Sequence, residues 1–150
     1  KGILHEDEEF TPQLMLRAEN LYFTNNKAYY YRKREGSIMH KRDKRWHIRR
    51  LADAEQVLYR LKERVDYLPV KERIAMERRI AQLTMDHIYN VIRLTHNETH
   101  LNHVLQRLSR HGLFPLPDKD YTSKYKWFRR MTNSSFGRKT LIMLLRLNKG

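Results

Sequence analysis

The chain is expected to be all-α: a small helical bundle of three to four helices with basic N- and C-terminal extensions. Two observations predict this. Apolar residues recur at three- and four-residue steps through the middle of the chain, the period of one helix face. The charge is also segregated. Residues 27–50 carry ten basic and two acidic side chains and residues 119–150 carry nine and one, whereas residues 51–118 carry ten and nine. A patterned, nearly neutral centre is the composition of a folding unit, and basic flanks are that of a partner-binding surface or tail. The organisation that follows is an acidic start and a basic aromatic extension over residues 1–50, a helical core over 51–130 and a basic C-terminal extension over 131–150.

The first core helix rests on Leu51, Ala54, Leu58, Leu61, Val65 and Leu68, and Pro69 ends it by pushing the preceding residue out of the helical region. A second helix starts near Val70 and carries Ile74, Ile80, Leu83, Ile88, Val91 and Leu94, a less regular stripe. The stretch HNET predicts a break, with Asn97 or Thr99 as the cap of a third helix bearing Leu101, Val104, Leu105 and Leu108. Gly112 and the following PLPD close that helix. A short fourth helix is expected through YTSKYKWFRRM, with Asp120 or Thr122 near its start, and RKTLIMLLRL is a last basic amphipathic piece after the break at NSSFG. HKRDKRWHIRR reads as an exposed basic segment leading into the first core helix.

The whole chain has 31 Lys and Arg against 17 Asp and Glu, a net charge of +14. A charge of that size repels itself and points to an anionic partner, nucleic acid first and an acidic membrane surface second. The absence of cysteine excludes disulfides, thiolate metal sites and thiol nucleophiles. The longest apolar run, LIMLL, is too short to span a membrane. The acidic HEDEEF is unlike a secretory signal. Asn97-Glu98-Thr99 and Asn133-Ser134-Ser135 match a glycosylation tripeptide that chance supplies often.

The motif with most chemical promise is a run of histidines. His96, His100 and His103 stand at i, i+4 and i+7, and such a pair on one helix can bind zinc. Asn-Glu-Thr separates the first two, so the metalloprotease pattern His-Glu-x-x-His fails, and a break at Asn97 separates the histidines further. No metal is therefore expected. The alternatives are solvated or packed imidazoles, or imidazoles donating to phosphate and base edges. In YYYRKREGSIMHKRDKRWHIRR the aromatics interleave with the cations, so phosphate neutralisation and base stacking can occur side by side. In KYKWFRR, Trp127 and Phe128 are expected to dock a helix while the cations face out. Asp53, Glu55, Glu63, Asp66, Glu72 and Glu77 look like helix-surface partners for neighbouring Arg and Lys. No carboxylate dyad, glycine-rich phosphate loop or Ser/His/Asp set is legible, so no enzyme activity, cofactor or small-molecule substrate is expected. VLYRL contains the Leu-Tyr-Arg tripeptide of a family of small mitochondrial assembly factors, but three residues are little to go on and an ordinary amphipathic helix is the far better explanation. ENLYF resembles a viral protease site but is followed by Thr24 where that site needs Gln.

Three segments in order, MERRIAQLTMDHIYNVIRLTH (76–96), LQRLSRHGLFPL (105–116) and DKDYTSKYKWF (118–128), resemble the second helix, third helix and closing segment of one family. That family is the small-subunit ribosomal protein fifteen family, in its mitochondrial form. Leu83-Thr84 resembles the step in its second helix, and His96 and His100 resemble the two histidines that begin its His-x-x-x-His turn. The likeness covers about residues 51–130. Where the family's turn continues with Asp and a Ser-Arg-Arg run, this chain has NETHLNHVLQR, and its third helix is shorter. The resemblance implies an rRNA-binding structural protein of the mitochondrial matrix, whose helix 2–3 bend meets an RNA junction and whose partners are rRNA and neighbouring ribosomal proteins.

The residues expected to touch RNA are Arg32, Lys33, Arg34, Lys41, Arg42, Lys44, Arg45, Trp46, Arg49 and Arg50 in the first arm. At the bend they are His96, His100, Arg107 and Arg110; in the second arm, Lys124, Lys126, Arg129, Arg130, Arg138 and Lys139. Two other classes stay open. One is an accessory subunit of a membrane-associated mitochondrial complex, suggested by VLYRL and the amphipathic stretch 138–149. The other is a helical DNA-binding module, for which the third helix offers only Asn102, Gln106, Arg107 and Arg110.

Overall fold

The computed structural model describes residues 4–27, 29–30 and 43–147, with Lys44 by its backbone alone. Every regular element among them is a helix: α1 (Glu6–Arg17), α2 (Lys44–Val65), α3 (Val70–Thr95), α4 (Glu98–Arg110), α5 (Ser123–Asn133) and α6 (Ser135–Leu147). The all-α expectation holds, but six helices are present among the described residues where three to four were expected.

The two additional helices have different causes. α1 carries Pro12 in its interior and buries no side chain fully, so no apolar stripe announces it. Its first turn is Glu6, Asp7, Glu8 and Glu9, which suits the positive end of a helix dipole. It is tied to α2 by polar contacts: Leu4 N donates to Asp53 at 3.0 Å, Arg60 pairs with Glu9 at 3.2 Å and Arg64 donates to Gln13 at 2.7 Å. These pairs advance together along both helices, so α1 lies parallel to α2. α6 follows α5 after the single extended residue Ser134. It packs Gly137, Leu141 and Ile142 against the core, so the apolar face of the segment read as a basic C-terminal extension is buried while Met143 and Leu147 stay exposed. Propensity alone leaves α6 undecided; burial of its leucine face against α3 decides it.

α2 also begins earlier than the apolar stripe implies. Asp43 caps it by accepting from Arg45 N at 3.3 Å, and nothing between 44 and 51 breaks a helix. Lys44–Arg50 are thus the first two turns of α2 rather than a segment leading into it. α2 and α3 form an antiparallel hairpin around Pro69. α3 touches every other helix. Its buried residues, from Met76 through Ile92, cover more than half of its circumference, which explains why the stripe read from its sequence is irregular. Ile74, expected in that stripe, is exposed.

The α3–α4 break falls where HNET predicts it. His96 closes α3 in the left-handed conformation at φ 47°, and Asn97 Oδ1 accepts from His100 N at 2.9 Å. Asn97→Ala should therefore cost about 1 kcal/mol, with Asn97→Asp restoring it. On a domain of this size that is roughly 2–4 °C in a thermal melt; an unchanged melt would mean the cap does not hold the bend. α4 ends in a Schellman motif: Leu113 N bonds Leu108 O, Gly112 N bonds Ser109 O, and Gly112 takes φ 66°. Leu108 and Leu113 are both buried, the hydrophobic contact that accompanies the motif. The loop to α5 is pinned by Asn133, whose amide bonds both Leu116 N and Leu116 O.

Candidate nucleic-acid interface

The cations of the sequence divide into those committed to the fold and those left facing solvent. At the start of α2, Lys44, Arg45, Arg49 and Arg50 crowd a helix end whose dipole is already positive. The isolated helix gains nothing from cations there; an anion does. Arg45 is exposed. Arg49 stands 3.7 Å from Asp53. Arg50 lies over the Trp46 ring, 5.4 Å from its centroid, and its Nε donates to His5 Nε2 at 3.3 Å. Trp46 and Arg50 are half-buried and joined to each other and to α1. Arg32, Lys33, Arg34, Lys41 and Arg42 lie outside the described residues, as does the side chain of Lys44.

At the bend, His96 and His100 are separated by the helix break. The carbonyl of His96 accepts from Arg146 of α6, so the C-terminal helix braces the bend. His100 is exposed on α4. Partial burial, then the nearby Arg107 cation, hold its pKa below the ordinary histidine value. Arg110 is exposed and makes no ion pair among the described residues. Among those residues no group of three His, Asp or Glu side chains converges as a metal site requires.

Arg107 has a different partner from the one its sequence position suggests. Its Nε and Nη2 donate to the two oxygens of Glu55 at 2.6 and 2.9 Å, a bidentate fork across α2 and α4. Glu55 is only 6% exposed, far from the helix-surface role expected of it. Tyr59 OH donates to the same carboxylate, and His87 Nε2 stands 3.6 Å from it. Burial alone would push this carboxyl up; the hydrogen bonds from Arg107 and Tyr59, with His87 nearby, overcome that and hold it well below the usual carboxylate range. Burial, then the adjacent Glu55, pushes the Tyr59 phenol above its ordinary value. The Tyr59 ring also stacks on His111 at 3.7 Å. Sequence analysis missed Glu55, Tyr59 and His87 as a group. The one available signal is that Glu55 lies four residues after Leu51 and three before Leu58, on the edge of the buried stripe.

The α5–α6 region divides in the same way. Lys124 and Arg130 are exposed and make no ion pair among the described residues. Lys126, also exposed, reaches Asp120 at 3.5 Å, and Lys139 reaches Glu98 at 4.0 Å; such surface pairs are weak and readily exchanged. Arg129 is held by Asp118 at 2.8 Å, and Arg138 donates to Thr132 O at 2.9 Å and Ser135 Oγ at 3.0 Å. Phe128 is buried, as expected, but Trp127 is half exposed. Before α2, Tyr22 and Phe23 are more than 90% exposed, and Tyr29 and Tyr30 more than 80%, beside Lys27. Aromatic rings left almost wholly in water have their apolar area available for a partner.

No protein-family model, curated protein or solved structure matches this chain. The interface is therefore argued from its own residues.

Proposed function

We propose that the chain is a structural component of a ribonucleoprotein, binding rRNA in the small subunit of a mitochondrial ribosome in the matrix, without turnover. The observation that carries this reading is a net charge of +14 distributed so that exposed cations stand beside exposed aromatics. Arg45, Arg110, Lys124, Lys126 and Arg130 supply phosphate contacts, and Tyr22, Phe23, Tyr29, Tyr30 and Trp127 supply stacking faces. The bend braced by Arg146 holds the start of α4 and with it His100, which suits positioning against sugar and phosphate, while Arg110 stands at the far end of α4. The resemblance of residues 76–128 to the ribosomal protein fifteen family points the same way.

A second reading has its own support. Phe136, Met143 and Leu147 of α6 are all more than 60% exposed and recur at i, i+7 and i+11, an apolar line on the helix's solvent side. Flanked by Lys139 and Arg146, it suits an accessory subunit lying on an acidic membrane or membrane complex. No helix among the described residues is long and apolar enough to cross a membrane.

A salt titration of the full chain against structured small-subunit rRNA, random RNA of equal length and anionic vesicles separates the readings. Expected is a log–log slope steeper than about −4 with clear preference for the structured RNA. Preference for vesicles would favour the second reading, and equal binding to all three would leave net charge as the whole cause.

A further inference from the structure

A groove of about 410 Å³ opens between α3, α5 and α6. That volume lies within the roughly 300–1,000 Å³ of sites for small organic molecules. Tyr89, Tyr125, Trp127 and Phe128 form its aromatic lining, and leucines of α6 complete it. Trp127 is 50% exposed and Tyr89 41%, so both rings have free area at the groove. Two charged side chains line it as well, Asp86 and Lys124. Tyr125 OH donates to Asp86 Oδ1 at 3.3 Å, leaving the other carboxylate oxygen without a hydrogen bond among the described residues. Burial pushes the Asp86 carboxyl above its ordinary range, against the pull of Tyr125, Arg79 and Lys124.

The occupant must satisfy both parts of this lining. An apolar helix face or lipid chain would cover the Asp86 carboxylate with hydrocarbon, which is unfavourable without a donor. A nucleobase offers a flat π-face to the indole and donors at its edge to the carboxylate. Guanine presents an imino and an amino N–H side by side, matched to a carboxylate; uracil presents one N–H. Lys124 and Arg79, the cations acting on Asp86, are then available to the flanking phosphates. We propose that this groove holds one unpaired guanine of the bound RNA, stacked on Trp127 and read at its edge by Asp86. The inference rests on the RNA-binding reading above.

Binding is measured on the full parent chain, because Trp46 belongs to the expected RNA-contacting set; Trp46→Phe, which leaves Trp127 as the only tryptophan, serves only to assign the fluorescence signal to Trp127. Its fluorescence is followed on titration with a short uracil oligoribonucleotide, the same oligomer with one central guanine, and the same with an abasic position there. Quenching and about 5–100-fold tighter binding are expected for guanine over the abasic oligomer. The conservative Asp86→Asn should remove a guanine-over-uracil preference of roughly tenfold while leaving stacking. Trp127→Ala should bring all three oligomers to one affinity. If the three oligomers bind alike and Trp127 does not respond, while structured rRNA still binds with a steep salt slope, the groove assignment is overturned and the RNA-binding reading stands. If structured rRNA does not bind either, both are overturned.

Discussion

Glu55→Ala is expected to lower stability by about 1–3 kcal/mol, because the buried carboxylate goes but the guanidinium left behind is half exposed and returns to water. In a domain of this size that corresponds to a fall in melting temperature of roughly 2–12 °C. The reason is the asymmetry of the network. Glu55 is buried and accepts from Arg107 and Tyr59, so its loss removes the bridge between α2 and α4 and leaves the half-buried Tyr59 phenol without its acceptor, while the exposed Arg107 guanidinium returns to water. Acid should reveal the same coupling. The folded-state pKa of Glu55 is depressed, so its stabilisation is full above the ordinary Glu value of about 4.3 and is lost as pH falls below that. Glu55→Gln should therefore show a flatter decline between about pH 4 and pH 2 than the parent chain, together with a lower melting temperature at neutral pH. A parent-like melt for Glu55→Ala, or an unchanged acid limb for Glu55→Gln, would show that the fork does not hold α4 to α2.

Gly137→Ala is expected to destabilise at the upper end of the overpacking range, about 3 kcal/mol, and to loosen α6 from α3. Helix propensity alone predicts the opposite sign, a gain of about 1 kcal/mol for alanine in a helix interior. The geometry overrules it. A methyl group at Gly137 would meet the carbonyl oxygen of Met131 and lie 2.7 Å from that residue's Cα and 2.8 Å from its carbonyl carbon. These are backbone atoms of α5, so no side chain can swing aside. The one-residue junction at Ser134 gives the two helices no slack. Loss of α6 would expose Leu141 and Ile142 and remove the Arg146 brace from the bend. Thermal melting and limited proteolysis within α6 measure the effect; a stabilised Gly137→Ala chain would mean that α5 and α6 do not meet this closely.

The groove and the Glu55 network differ in what they ask of evolution-blind chemistry. In the network both Glu55 oxygens are taken by donors from within the protein, Arg107 and Tyr59, and so it reads as a structural joint. The groove leaves a carboxylate oxygen, a half-exposed indole and an exposed lysine together, and so it reads as a place for something else. The same distinction sorts the cations. Arg107, Arg129 and Arg138 have directed partners within the fold, whereas Arg45, Arg110, Lys124 and Arg130 make no ion pair among the described residues.

By itself the sequence determined the helical class, the stop of α2 before Pro69, the break between α3 and α4 with a cap at Asn97 or Thr99, and the stop at Gly112. These are local matters: side-chain period, a proline, an Asx cap and a residue able to take positive φ, each acting within about one turn. It also determined the excess of positive charge, which is a sum over residues and needs no fold. Only the tertiary structure decided that α1 is a helix docked by polar contacts and that α6 packs against the core, because both depend on partners far along the chain. It likewise decided that Arg107 serves Glu55, 52 residues away, and that Asp86 and Trp127 share a groove. A spacing rule reports which residues share a helix face; it is silent on what that face meets, and the sites of this protein lie where faces meet.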